Sequence, residues 1–181
     1  TLQEAAQVFG FDRVNKAGAK FDWDKLNWLN SQYLHRIPAQ QLVNLLLPYW
    51  KNAGYELDWV GDRPWLEQVA ALIATDLVRL EDVAPKTRYL FVREVGFSED
   101  ATKKLQQDGS EAIVAGIATN LSQFQPLTET SATDLIKQVA TQLGRKEGQL
   151  KPILRVALTG DTRGPDLIQS WLLLHQRDWD T

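Results

Sequence analysis

Start and stop signals for helices recur along this chain at short intervals, and the segments between them carry apolar residues at helical spacing. Thr1 and Glu4 form a T-x-x-E capping box ahead of Ala5, Ala6, Val8 and Phe9. Asp22 or Asp24 can cap a helix whose apolar stripe is Leu26, Leu29, Tyr33 and Leu34, residues that read as core. Pro38 opens the next helix, with Leu42, Leu45, Leu46, Tyr49 and Trp50, and Gly54 closes it. Within that helix Pro48 is expected to end or kink the hydrogen-bond ladder. Pro64 opens a further helix through Leu66, Val69, Ala70, Leu72, Ile73 and Leu77. Ser98 caps 99–107, and Gly109 with Ser110 restarts a helix reaching about Phe124. The cluster from Thr130 to Asp134 starts another, which Gly144 stops. Two last helices are expected at about 152–158 and 165–175, the second opened by Pro165, whose missing N–H is harmless at the first helical position. The one β-like run, Tyr89-Leu90-Phe91-Val92, is too short to build a sheet. No period repeats along the chain. The expectation is an all-α multi-helix bundle or cage.

Composition removes several function classes. Cysteine is absent, so disulfides and thiolate metal sites are excluded, and His35 and His175 stand too far apart in sequence to suggest a zinc site or a histidine acid–base pair. No apolar run approaches the length of a membrane span. The chain has no methionine, begins with Thr1 and shows no signal-peptide pattern, which fits a fragment of a longer protein. A net charge of −3 argues against nucleic acid at first sight. The charge is uneven, however: 37–85 is predominantly acidic, while 86–107 is predominantly basic. Folding could therefore collect Lys86, Arg88, Arg93, Arg155 and Arg163 on one face.

The stretch from Lys151 to Leu167 concentrates the chemistry. Arg155 lies on an apolar helix, followed by the polar turn Thr159-Gly160-Asp161-Thr162-Arg163-Gly164 and then Pro165. Such a layout aims one guanidinium, a turn and helix-terminal N–H groups at one point, a combination that suits phosphate or base acceptors. Leu167 could then pack against a splayed base. The plainer alternative is an ion pair of Arg155 with Asp161 or Asp166. Lys16, Lys20 and Lys25 form a second basic cluster, suited to an RNA backbone or to a solvated rim.

Residues 154–167 resemble the LRxALTGxxxGPxL element of bacterial-type glutamyl-tRNA synthetases, in the C-terminal anticodon-binding portion. Arg13-Val14-Asn15-Lys16, with Phe21-Asp22, Lys25-Leu26 and Trp28, is similar to the RVNKxxAxFDxxKLxW stretch that follows the catalytic half of that family. Pro85-Lys86-Thr87-Arg88-Tyr89-Leu90-Phe91 resembles the segment joining its two anticodon-binding subdomains. The three matches occur in family order over nearly the whole chain. The resemblance implies the end of a stem-contact domain at 1–38, a first helical anticodon-binding subdomain at 39–91 and a second at 92–181. It implies tRNA as partner, anticodon contacts from Arg155, Gly164, Pro165 and Leu167, and backbone contacts from Lys16, Lys20, Lys25, Lys86, Arg88 and Arg163. It also implies a monomer in the cytoplasm. The parent would be an ATP- and magnesium-dependent ligase, but the family's ATP-binding motifs and any P-loop or G-x-G-x-x-G are missing here, so this stretch is expected to be inactive alone.

Two departures from the pattern matter. Some relatives carry threonine where this chain has Gly164. Members that accept only the glutamate tRNA place an arginine, which reads the third anticodon base, at a position that aligns with Ala74. Neither Ala74, Thr75 nor Asp76 is arginine, which implies a non-discriminating enzyme that accepts the glutamate and glutamine tRNAs. The alternative class is a helical protein-interaction scaffold, with Trp171 and Trp179 as partner contacts and Trp23, Trp28, Trp50 and Trp65 in the core.

Overall fold

A computed structural model describes residues 2–13, 18 and 20–180, and among them no strand occurs. Ten α-helices follow one another: α1 Leu2–Val8, α2 Trp23–Leu34, α3 Ala39–Asn52, α4 Arg63–Ile73, α5 Val83–Thr87, α6 Glu99–Leu105, α7 Ser110–Leu121, α8 Glu129–Gln142, α9 Glu147–Thr159 and α10 Leu167–His175. The all-α expectation holds. The β-like run instead forms a 3-10 turn over Arg88–Leu90, with Tyr89, Leu90 and Phe91 buried. Burial wins over strand propensity there because no second strand is available to pair with.

Local signals set many of the boundaries. Asp22 caps α2 by accepting from Lys25 N, and Ser98 caps α6 by accepting from Ala101 N. Thr128, not the 130–134 cluster, caps α8, and Ser131 returns the bond by accepting from Thr128 N. Pro48 neither ends nor breaks α3, which runs to Asn52. The acceptor it orphans is the carbonyl of exposed Asn44, which water can satisfy. Helix α9 starts earlier than Pro152 suggests, because Gln149 Oε1 accepts from Lys146 N and closes the first turn upstream. The Thr1 half of the expected capping box lies outside the described residues.

Two apolar cores form. The first is built from α3, α4, α5 and the 88–91 turn, around Leu42, Leu46, Trp50, Leu66, Ile73 and Leu90. The second is built from α7, α8 and α9, around Ile113, Leu135, Ile136, Leu150 and Ile153. Helix α10 belongs to both: Leu167 and Trp171 enter the second core, while Leu173 and Leu174 enter the first. Polar bonds fasten the same junction. Trp65 Nε1 donates to Leu173 O at 3.1 Å, the Tyr89 and Ser170 hydroxyls are 2.8 Å apart, and Arg177 lies over the Trp65 ring while pairing with Asp62. Full burial of each large side chain here stabilises the fold by about 1.5–3 kcal/mol.

The tryptophans do not divide as expected. Trp50 and Trp65 are core, but so is Trp171, and Trp179 packs against the first core, so neither of the last two is a free partner anchor. Trp23 and Trp28 are exposed, as are Phe21 and, from the expected core stripe, Leu26, Leu29 and Tyr33. Of α2 only Ser31 and Leu34 are buried. Periodicity reports that a helix has an apolar face; it does not report what lies opposite. Helix α2 reaches the rest of the chain through Asn30 Nδ2, which donates to Val78 O, and His35 Nε2, which donates to Leu77 O.

Candidate nucleic-acid interface

Helix α9 ends at Gly160 in a left-handed conformation, φ +75°, and a Cβ there would overlap the carbonyl of Gly96. Glycine is required by both facts. Ser98 N then donates to Gly160 O at 3.0 Å, seating the 95–98 connection directly on the turn. Within the turn, Asp161 Oδ1 accepts from Thr162 N at 2.6 Å and Arg163 N at 3.5 Å, and Thr159 Oγ1 donates back to Arg155 O.

Helix α10 does not begin at Pro165. Asp166 is its cap, accepting from Gln169 N at 2.9 Å, and Pro165 precedes it. The shift of two residues places Leu167 at the first helical position with 7% exposure, packed in the second core, where it has no face left to stack on a base. Both carboxylates offered as ion-pair partners are thus engaged with backbone. Arg155 pairs with neither: its Nη1 donates to Pro165 O at 2.7 Å, and the backbone of Gly164 runs close enough that a Cβ there would lie 3.4 Å from the same nitrogen. One donor of the fork braces the turn and the other donors remain.

Between this turn and the first core lies a cavity of about 700 Å³. Asp76, Pro85, Lys86, Arg88 and Tyr89 line it from the first core, Val95, Gly96 and Ser98 from the connection, and Thr159 to Asp161 with Arg163 to Pro165 from the turn. Lys86, Arg88, Arg163, Gly164 and Pro165, remote in sequence, are therefore brought together. Arg88 and Arg163 form no ion pair among the described residues, and Lys86 Nζ donates to Asp76 O at 2.7 Å. Lys20 and Lys25 are exposed but do not line this cavity, and Lys16 lies outside the described residues. Ala74 does not line it either; its side chain packs against the first core, and the residue of that segment that meets the cavity is Asp76.

Tyr89 is the residue that sequence reasoning missed. Burial pushes its hydroxyl up to about 12, opposed by the Ser170 hydrogen bond and the Arg155 guanidinium, with Asp76 adding to the rise. The hydroxyl stays protonated and bridges the two cores beside the cavity. Among the described residues no cluster of His, Asp and Glu is arranged to hold a metal ion, and no helix is long and apolar enough to cross a membrane.

Cationic side chains thus collect in a cavity at the junction of the two cores of this helical cage. The chain belongs to the anticodon binding domain family, which matches residues 41–178. It is 54% identical over 97% of its length to a glutamate–tRNA ligase of Nostoc sp., and 49% identical over 99% of its length to that of Crocosphaera subtropica. It spans 37% of the length of each of these relatives. Its fold matches a glutamate–tRNA ligase of Elizabethkingia meningosepticum, solved in complex with its amino acid, at a TM-score of 0.83 and 20% identity, covering 99% of this chain and 35% of that one. The glutamate–tRNA synthetase of Elizabethkingia anophelis matches at 0.74 and 21% identity, covering 99% and 34%.

Proposed function

We propose that this chain is the tRNA-recognition part of a glutamate–tRNA ligase and that the cavity between its two cores receives the anticodon loop. The observation that carries the reading is the convergence of Lys86, Arg88 and Arg163 on one cavity, with neither guanidinium paired to a carboxylate among the described residues. Cations without internal partners suit phosphates, while the concave wall suits unstacked bases. On this reading residues 39–91 and 92–181 are two halves of one anticodon-binding unit, and 1–38 belongs to the stem-contact region. ATP and Mg²⁺ would act in parts of such a ligase outside this chain, and the role of this part is to select and position tRNA.

The same reading extends to non-discrimination. No arginine occupies 74–76, so nothing there disfavours one third anticodon base, and both the glutamate and glutamine tRNAs should be accepted. Competitive titration of the chain with the two tRNAs tests both levels. Binding that falls steeply with added salt is expected for each. Failure to bind either tRNA sinks the anticodon reading. A preference for the glutamate tRNA beyond about a hundredfold sinks only the non-discriminating one, since a base contact is worth about 1–3 kcal/mol.

A further inference from the structure

We propose that His35, backed by Asn30, is a positioning residue for RNA: from α2 the two side chains hold in place the cavity wall that follows α4, and RNA binding depends on that hold. This rests on the anticodon reading above and adds to it residues that lie outside the cavity. Helix α4 ends at Ile73, tightens into the 3-10 turn Ala74–Asp76 and becomes extended at Leu77. Carbonyls at such an end have no partner further along the helix. Here three consecutive ones are met by side chains from other elements. Asp76 O accepts from Lys86 Nζ at 2.7 Å, Leu77 O from His35 Nε2 at 3.2 Å, and Val78 O from Asn30 Nδ2. Ile73 and Asp76 line the cavity from this segment, whereas His35 and Asn30 do not line it.

The three bonds are not equivalent. Leu77 is fully buried, so its carbonyl has no water to turn to, and among the described residues His35 is its donor. A buried carbonyl stripped of its donor is strongly unfavourable, so the segment would shift until that oxygen reached water. Ile73 and Asp76 would shift with it. Val78 is exposed, so water can stand in for Asn30 and that bond counts for less. Lys86 lies on the cavity itself, so its removal would mix a lost brace with a lost cation. His35 and Asn30 carry the cleaner signal. A wall already in place spares RNA binding the cost of ordering it on arrival. If the bonds served only to seat α2, of which only Ser31 and Leu34 are buried, their loss would free α2 and leave the cavity as it was.

The test is a fluorescence-anisotropy titration of a glutamate-tRNA anticodon stem-loop, at several salt concentrations, with the wild-type chain and the variants His35→Leu, His35→Gln and Asn30→Leu. Leucine fills the space of either side chain without a donor, and glutamine at 35 restores one. His35→Leu should weaken binding about tenfold and Asn30→Leu about threefold, the span of a net neutral hydrogen bond. His35→Gln should stay within about twofold of wild type on the same scale. The slope of log affinity against log salt should not change, since no phosphate contact is lost. Hydrogen exchange at the 74–79 amides should quicken in His35→Leu but not in His35→Gln. With wild-type binding intact, folded leucine variants that bind as tightly overturn the His35 inference alone. So does faster exchange confined to 22–35, a defect that glutamine does not rescue, or a slope lowered by about one, the mark of a lost phosphate contact. If His35→Leu does not fold, Asn30→Leu decides. A wild-type chain that binds no stem-loop overturns the anticodon reading and this inference together.

Discussion

Replacing Gly160 with alanine should be far more damaging than the same change at Gly144, although both residues close a helix in the left-handed region, at φ +75° and +61°. The shared part of the penalty is the strain of placing a Cβ at positive φ, about 1 kcal/mol. At Gly144 nothing lies within 4 Å of the new atom, so strain is the whole effect. At Gly160 the Cβ would overlap the Gly96 carbonyl and meet Val95, so the 95–98 connection must move. Moving packed backbone costs about 1–3 kcal/mol. Loss of the Ser98 N–H to Gly160 O bond adds about 0.5–1.5 kcal/mol. Gly160→Ala should therefore be less stable than Gly144→Ala by roughly 1.5 kcal/mol or more, read from urea unfolding midpoints at constant slope. Because Val95, Gly96 and Ser98 wall the cavity, Gly160→Ala should also weaken tRNA binding where Gly144→Ala does not. Two variants equal within about 0.5 kcal/mol, the scatter of neutral surface changes, would refute the claim that this turn is seated on the connection.

Arg155→Ala should weaken tRNA binding by roughly 1.5–3 kcal/mol with the fold intact, as expected for a hydrogen bond to a charged group; unchanged affinity would reduce Arg155 to a brace for the Pro165 carbonyl. Arg163→Ala should weaken all tRNAs alike and lower the slope of log affinity against log salt by about one, the signature of a single phosphate contact; a change confined to one tRNA would argue against it. Tyr89 carries a pH dependence: its folded pKa, about 12, lies above the ordinary value of 10.0, so its contribution is complete below pH 10 and lost as pH rises towards 12. The difference amounts to roughly 2–3 kcal/mol, and Tyr89→Phe should flatten that part of the stability profile; an unaltered alkaline limb would show that other groups set it. The chain alone should show no glutamate-dependent pyrophosphate exchange, because it carries no ATP-binding motif of the ligase family, and measurable exchange would contradict the division of labour proposed here.

Helix starts marked by short polar side chains were legible: Asp22 and Ser98 cap where the sequence places them, and Gly54 and Gly144 stop helices as expected. The cationic residues of the cavity were legible too, as a charge imbalance. What sequence spacing missed was rotation. Helix α4 tightens into a 3-10 turn at Ala74–Asp76, and the turn per residue rises from about 100° to about 120°. Ala74 thereby packs against the first core while Asp76 meets the cavity. Pro165 misled by a similar margin, because Asp166 outcompetes it as the start of α10 and so turns Leu167 inward. The exposed stripe of α2 was beyond reach in principle, since it depends on what the helix faces.

Helix α10 also makes time a variable. Residues 34–91 supply every other fully buried apolar residue of the first core, yet the gap that Leu173 and Leu174 fill stays open until residue 175 has been made. At typical synthesis rates that is roughly 4–17 s after residue 91 leaves the peptidyl-transferase centre. Through that interval Trp65 has no carbonyl to bond and part of an apolar core faces water. The nascent chain is then a natural client for a holdase, and slowing elongation between 91 and 175 should lower the soluble yield without altering the finished protein.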